Sequence, residues 1–466
     1  MIRGCELLYI RGEKMDLGTV LPLWSCIPFV GMLLCIAICP LVIGEWWDAH
    51  KQYGVLFWSL LFIIPFCVAY GWNVGIEQVA ESIVGDYLPF IVLLFGLFCV
   101  AGNICLEGDL VGSPKVNVIL LLIGTLLSSW IGTTGASMVM IRPIIRANKW
   151  RSRKTQIVVF FIFLVSNIGG CLTPFGDPPI LMGFMRGVPF FWSLKIMPVF
   201  IVNVIILLIV FYILDRRAYR KDLAQGNRPE INAEKSHIRL LGAHNIIFIA
   251  MIVGAVILSG ELPSLPLFQG VDGETLGIHI IGEATLTFPD IIEVAIILVA
   301  AFLSFKTTPK QVRLNNHFTW DAIKEVAILF IGIFITMIPA LLILKSKGAE
   351  LGLTQPWELF WATGALSSFL DNTPTYLVFL TTAGTLGATE GIVTAVGTIA
   401  PKMLLAVSCG AVFMGANTYV GNAPNFMVKS IAEENGIKMP SFFGYMGWSL
   451  AFLIPTFLVD MLIFFI

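Results

Sequence analysis

The sequence predicts an all-α polytopic membrane protein, with about ten transmembrane helices plus two re-entrant hairpins in an inverted repeat. Three observations lead there. The 466 residues are 57% hydrophobic and only 13% charged, with a mean hydropathy of +0.87, whereas soluble domains carry about 25% charge. The apolar runs reach the length of about 20 residues that a helix needs to cross roughly 30 Å of hydrocarbon, and they lack the alternation over about ten residues that marks membrane strands. Finally, SSWIGTTGASMVM at 128–140 matches SSFLDNTPTYLVF at 367–379, and SNIGGCLTPFGDPPILM at 166–182 matches AVFMGANTYVGNAPNFM at 411–427. The offsets are 239 and 245 residues, and Gly170, Thr173, Gly176, Pro179 and Met182 recur as Gly415, Thr418, Gly421, Pro424 and Met427.

Along the chain, residues 1–14 (MIRGCELLYIRGEK) are polar and basic and lead into an apolar run without a small-residue cleavage site. They do not read as a cleaved signal peptide, and Met15 is a second candidate start. Spanning helices are expected at about 19–43, 54–70, 88–104, 155–196 (broken), 197–214, 243–258, 290–305, 326–344, 402–428 (broken) and 444–466. The segments 116–146 and 356–386 are apolar but interrupted at the middle by small and polar residues, so each is read as a hairpin that dips in and returns. Residues 73–87 carry apolar side chains at mixed helical spacing and are placed along the outer interface. The organisation is therefore N-terminal helices at 1–87, a first repeat at 88–214, a cytoplasmic linker at 215–242, connecting helices at 243–325 and a second repeat at 326–466.

Loop charge orients this scheme. The 146–154 loop holds Arg146, Lys149, Arg151, Arg153 and Lys154, and the 215–242 loop holds seven further Lys and Arg, so both are expected in the cytoplasm. The 259–289 loop, without Lys or Arg, is then outside, and 306–324 inside. Alternation holds only if both hairpins return. The first then enters from the cytoplasm and the second from outside, which makes the repeats inverted and brings their tips together near the midplane. Lys345 and Lys347 fall on the expected outer side, against the charge rule.

Several function classes are excluded by what the residues lack. A net charge of −1 gives no basis for nucleic-acid binding. Nine cysteines, mostly inside apolar runs, are not a disulfide framework. The five histidines are read in loops or at helix ends without metal-ligand spacing. No nucleophile with a base and no metal cluster is found, so an enzyme is not expected; no GxxxxGK[ST] loop is found, so ATP-driven pumping is not expected, and no cofactor is called for beyond Na⁺ or H⁺ as transported or coupling ions.

The breaks carry the chemistry. Backbone groups cannot remain unpaired in lipid, so a Pro and Gly interruption in a spanning segment needs protein, water or an ion to satisfy it. In Thr173-Pro174-Phe175-Gly176-Asp177-Pro178-Pro179 the prolines remove donors, while freed carbonyls, the Thr173 hydroxyl and the Asp177 carboxylate offer the oxygen ligands that hard cations prefer. The same half adds Asn167. The second break offers Asn417, Thr418, Asn422 and Asn425, and the hairpin tips offer Thr133, Thr134 and Ser137 in one half and Asp371, Asn372 and Thr373 in the other. Asp177 and Asp371 lead by cost, because a carboxylate at membrane depth is expensive unless paired or protonated. They are the expected sodium ligands, with Arg142 as a candidate counter-charge or else a residue snorkelling to the cytoplasmic end.

SNIGGCLTPFGDPP and the FLDNTPT tip resemble the ion transporter superfamily, in particular its branch of NhaD-type sodium/proton antiporters, arsenite permeases and citrate transporters. The likeness spans roughly residues 88 to 440. It implies an inverted-repeat fold with two hairpins, usually as a homodimer that moves its transport domain like an elevator in the cell (inner) membrane. Asp371-Asn372 resembles the aspartate-asparagine of the antiporter branch's outer hairpin, and Gly176-Asp177-Pro178 resembles its first broken helix. The first hairpin departs from this pattern, with Gly132-Thr133 where antiporters have a second aspartate-asparagine; Thr133-Thr134 and Asn372-Thr373 are only partly similar to the Ser-Asn-Thr tips of the carboxylate branch. Two functions are expected: sodium/proton antiport by alternating access, or sodium- or proton-coupled transport of citrate or a related carboxylate.

Overall fold

The computed structural model describes residues 9–10, 13–14, 16–108, 110–228, 239–270, 274–282, 284–316 and 318–466. The expectations for most of 1–14, for Met15, for His237 and His317, and for the middle of the 215–242 linker lie outside the described residues. Proline sets many of the helix starts, because its missing N–H falls where a helix has no partner for it. The helices are α1 (Ile27–Val42), α2 (Gly44–Tyr70), α3 (Trp72–Glu81), α4 (Leu88–Gly102), α5 (Pro114–Ile131), α6 (Thr133–Ala147), α7 (Thr155–Leu164), α8 (Pro178–Met185) and α9 (Met197–Ala224) in the first half. The second half continues with α10 (Asn245–Glu261), α11 (Phe288–Thr307), α12 (Lys310–Asn315), α13 (Asp321–Lys347), α14 (Pro356–Ser367), α15 (Asn372–Gly384), α16 (Pro401–Met414), α17 (Ala423–Glu434) and α18 (Phe442–Asp460). A two-stranded pair, β1 (Cys105–Glu107) with β2 (Arg239–Leu241), ties the end of the linker to the chain after α4, with Leu106 opposite Leu240.

Among the described residues nine helices are long and apolar enough to cross a membrane. Eight correspond to expected spans, and the ninth, Pro114–Ile131, is the first arm of the first expected hairpin. The two broken segments fall short because each is split by its Pro and Gly interruption. Several boundaries differ from the sequence reading. Helix α2 begins at Gly44, ten residues early, so that His50 lies inside a helix and not in a loop or at a helix end; polar residues there extend the helix beyond the apolar run, and Lys51 reaches Glu325 at 3.1 Å. Residues 72–87 are not a separate surface helix. Gly71, at φ +100°, turns the chain, and α3 runs through a π turn at Ser82–Tyr87 into α4.

Contacts place the loops at two ends of the bundle. At one end Gly112 N donates to Ala147 O at 2.7 Å, Asn117 and Asn148 exchange side-chain hydrogen bonds, and Asn316 Nδ2 donates to Gly102 O. There α5 and α6 open, α4 ends and α13 begins. Arg151, wholly buried, bonds Asp215 at 2.7 Å and Asp222 at 3.2 Å, while Arg153 also reaches Asp222, so the two basic loops meet. At the other end Arg186 pairs with Asp86 at 2.8 Å, Ala395 N donates to Arg186 O, and Gly348 packs against Thr382 and Thr385. There α8 ends and the α14–α15 pair opens. Lys347 sits at this second end, where its Nζ donates to Thr19 O and its charge complements the helix C-terminus.

Candidate functional site

Between the two ends, four helix starts converge: α6 after Gly132, α8 after Asp177, α15 after Asp371 and α17 after Asn422. The chain folds locally this way because each break lets two backbone strands touch. A Cβ on Gly176 would lie 2.2 Å from Gly170 O, and one on Gly421 would lie 2.6 Å from Gly415 O, so only glycine fits these crossings. The two halves then repeat the same bonds. Thr173 Oγ1 donates to Ser129 O while Phe175 N donates to Thr173 Oγ1; Thr418 Oγ1 donates to Ser368 O at 2.5 Å while Val420 N donates to Thr418 Oγ1. Ser129 Oγ donates to Gly169 O, and Ser368 Oγ shares its one proton between Met414 O at 3.1 Å and Gly364 O of its own helix at 2.7 Å. Each hydroxyl therefore fastens a hairpin tip to its own half's break.

Asp177 is the centre of the arrangement. It is 1% exposed, and its two oxygens accept three side-chain hydrogen bonds: Thr133 Oγ1 at 2.8 Å and Asn422 Nδ2 at 3.1 Å on Oδ1, and Asn372 Nδ2 at 2.5 Å on Oδ2. Thr133 and Asn372 are repeat mates, and Asn422 is the mate of Asp177 itself. One carboxylate thus joins both tips and both breaks. Thr133 N adds a bond to Gly176 O at 2.8 Å. Behind it, Asn167 donates to Asn425 Oδ1 at 2.7 Å and accepts from Asn422, and Asn425 donates to the Gly415 and Thr418 carbonyls.

Asp371 is placed differently. It caps α15 by accepting from Thr373 N at 3.0 Å, and it lines a cavity of about 90 Å³, partly open to the surroundings. Thr133, Thr134, Asn372, Thr373 and Asn422 line the same cavity, opposite apolar side chains of α4 and α13 such as Phe98, Ile323 and Phe330. No Lys or Arg is among these lining residues.

The remaining expected site residues divide. Ser137 and Ser166 share a hydrogen bond of 2.9 Å away from the cavity wall, and Asn167 and Thr418 act behind it. Asn417 donates to Ser368 Oγ at 2.9 Å, and its Oδ1 is buried without a partner. Arg142 is not a counter-charge for either acid: its guanidinium donates to Asn316 O at the C-terminal end of α12, as a residue snorkelling to the helix end does. Ser129, Ser368 and Ser166 were missed as partners. The doublets Ser128-Ser129 and Ser367-Ser368 open the matched stretches, so the repeat carried a signal for two of them.

The asymmetry of the tips has a backbone cause. Gly132 adopts φ +80°, a region closed to most side chains, whereas Asp371 sits at φ −55°. An acid at position 132 would be strained there.

A family model described as "Putative citrate transport" matches residues 18–465. The chain belongs to that family. The match covers nearly the whole chain and places it, as a multi-pass membrane protein, among the secondary transporters of the ion transporter superfamily. No curated protein matches the chain.

Proposed function

We propose that the protein exchanges sodium for protons across the cell inner membrane, with Asp177 and Asp371 as the ion-binding acids. The observation that carries this reading is the cavity: one acid on its wall, a second directly behind the tips, hydroxyl and amide groups from both halves, and no Lys or Arg among its lining residues. Carboxylates with neutral oxygen donors suit a hard monovalent cation. A proton and a cation compete for the same carboxylate, and that competition is what exchange requires. To hold a cation, the Asn372 and Asn422 amides that now donate to Asp177 would turn their oxygens toward it.

The end rich in Arg and Lys is assigned to the cytoplasm. The cavity is walled by the Phe98 end of α4 and the Ala322–Ile323 end of α13, so it faces that side. A homodimer with elevator-like movement remains the expected assembly. The second reading, cation-coupled citrate transport, is favoured by the family's description and by the four helix starts at the cavity, whose partial positive charge attracts carboxylates. Everted vesicles separate the two. Sodium added after a pH gradient is imposed should dissipate it; a gradient that persists, together with uptake of labelled citrate, would replace the first reading with the second.

A further inference from the structure

One buried carboxylate has no part in the site described above. Asp460, the last residue of α18, is 0% exposed and accepts a hydrogen bond from Asn203 Nδ2 of α9 at 2.7 Å on its Oδ2. Asn203 Nδ2 also donates to Val199 O at 2.8 Å, so both amide protons are used. Two oxygens are left over. Asp460 Oδ1 and Asn203 Oδ1 are both buried with no hydrogen-bond partner, one on each member of a bonded pair.

No charge nearby compensates an ionised Asp460. Among the described residues it makes no ion pair, α7 has no titratable side chain, and α9 has none before Tyr212. On α16 the Cys409 thiol lies within electrostatic reach, and Lys402 is exposed at the far end of that helix. On α14 Glu358 is engaged by the Thr354 and Gln355 amides. An isolated buried carboxylate is unfavourable when ionised, and each orphaned acceptor adds the cost of its lost hydration.

We propose that Asp460 and Asn203 form a proton-binding site separate from the cavity. Asp460 takes one proton from water on Oδ1 and donates it to Asn203 Oδ1, closing a two-bond ring between a neutral carboxylic acid and an amide. A single proton satisfies both orphaned atoms. The ring ties α9 to α18, the helices that follow the breaks in the two halves, next to the π turn at Met461–Phe465.

Infrared spectra of the purified full-length protein test this. Wild type at neutral pH is expected to show a protonated-carboxyl C=O band that Asp460→Asn lacks and that Asp177→Asn and Asp371→Asn retain. Asn at 460 can donate one amide proton to Asn203 Oδ1, so Asp460→Asn should melt within about 2 °C of wild type while Asp460→Leu melts several degrees lower. The proposal is overturned if Asp460→Asn loses no carboxyl band, or if it melts as low as Asp460→Leu or fails to fold.

Discussion

Asp177 and Asp371 are repeat-independent acids with different surroundings. The first is enclosed by three donors from two halves, and the second faces the cavity with one backbone amide on it. Asp177→Asn and Asp371→Asn are each expected to abolish sodium-dependent proton flux while the protein still inserts and elutes as wild type; exchange at the wild-type rate in both would end the ion-site assignment. Asp177 was legible as costly from its place in a proline-rich break. Its partners were not, because Thr133, Asn372 and Asn422 lie 44, 195 and 245 residues away and meet it only through tertiary folding.

At the scale of elements, one threonine in each break bonds its hairpin, Thr173 to Ser129 O and Thr418 to Ser368 O, beside the serine bonds described above. Thr173→Val and Thr418→Val leave a hairpin carbonyl and a break amide unpaired in apolar surroundings, at about 1–3 kcal/mol each. Both variants should lower the melting temperature by a similar few degrees; a loss confined to one would mean that the two halves do not bear equal load. The repeat was visible in the matched Thr, Gly and Pro positions, since these residue types are dictated by backbone geometry. The start of α2 and the continuity of 72–102 were not, because polar helix extensions leave no apolar signal and a glycine bend looks like a loop.

The whole molecule is held at its basic end by Arg151, which joins the base of the first hairpin to α9 through Asp215 and Asp222. Removing one partner of a buried ion cluster costs about 3–5 kcal/mol, so Arg151→Ala should reduce the yield of folded protein sharply. Arg151→Lys should rescue it only in part, as an ammonium lacks the planar fork that reaches two carboxylates. At the opposite end the Asp86–Arg186 pair links the segment before α4 to the end of α8. If alternating access moves the tip-bearing helices past α4 and α13, joining Asp86→Cys to Arg186→Cys with a short bifunctional thiol reagent should stop transport, and a reducible linker should restore it on cleavage. Transport that continues in the linked protein would exclude relative movement there.

Composition and periodicity alone determined that this is a helical membrane protein, since burying apolar side chains in hydrocarbon is a local requirement that each segment meets by itself. Repeat matching and loop charge located the two breaks and the two hairpins for the same reason: proline, glycine and charge act on their own neighbourhood. Only the tertiary structure decided that Asp177 is shared by both halves, that Arg142 is not its partner, and that Gly132 excludes a third acid. Those outcomes depend on distances and dihedral angles between segments hundreds of residues apart, which no local pattern encodes.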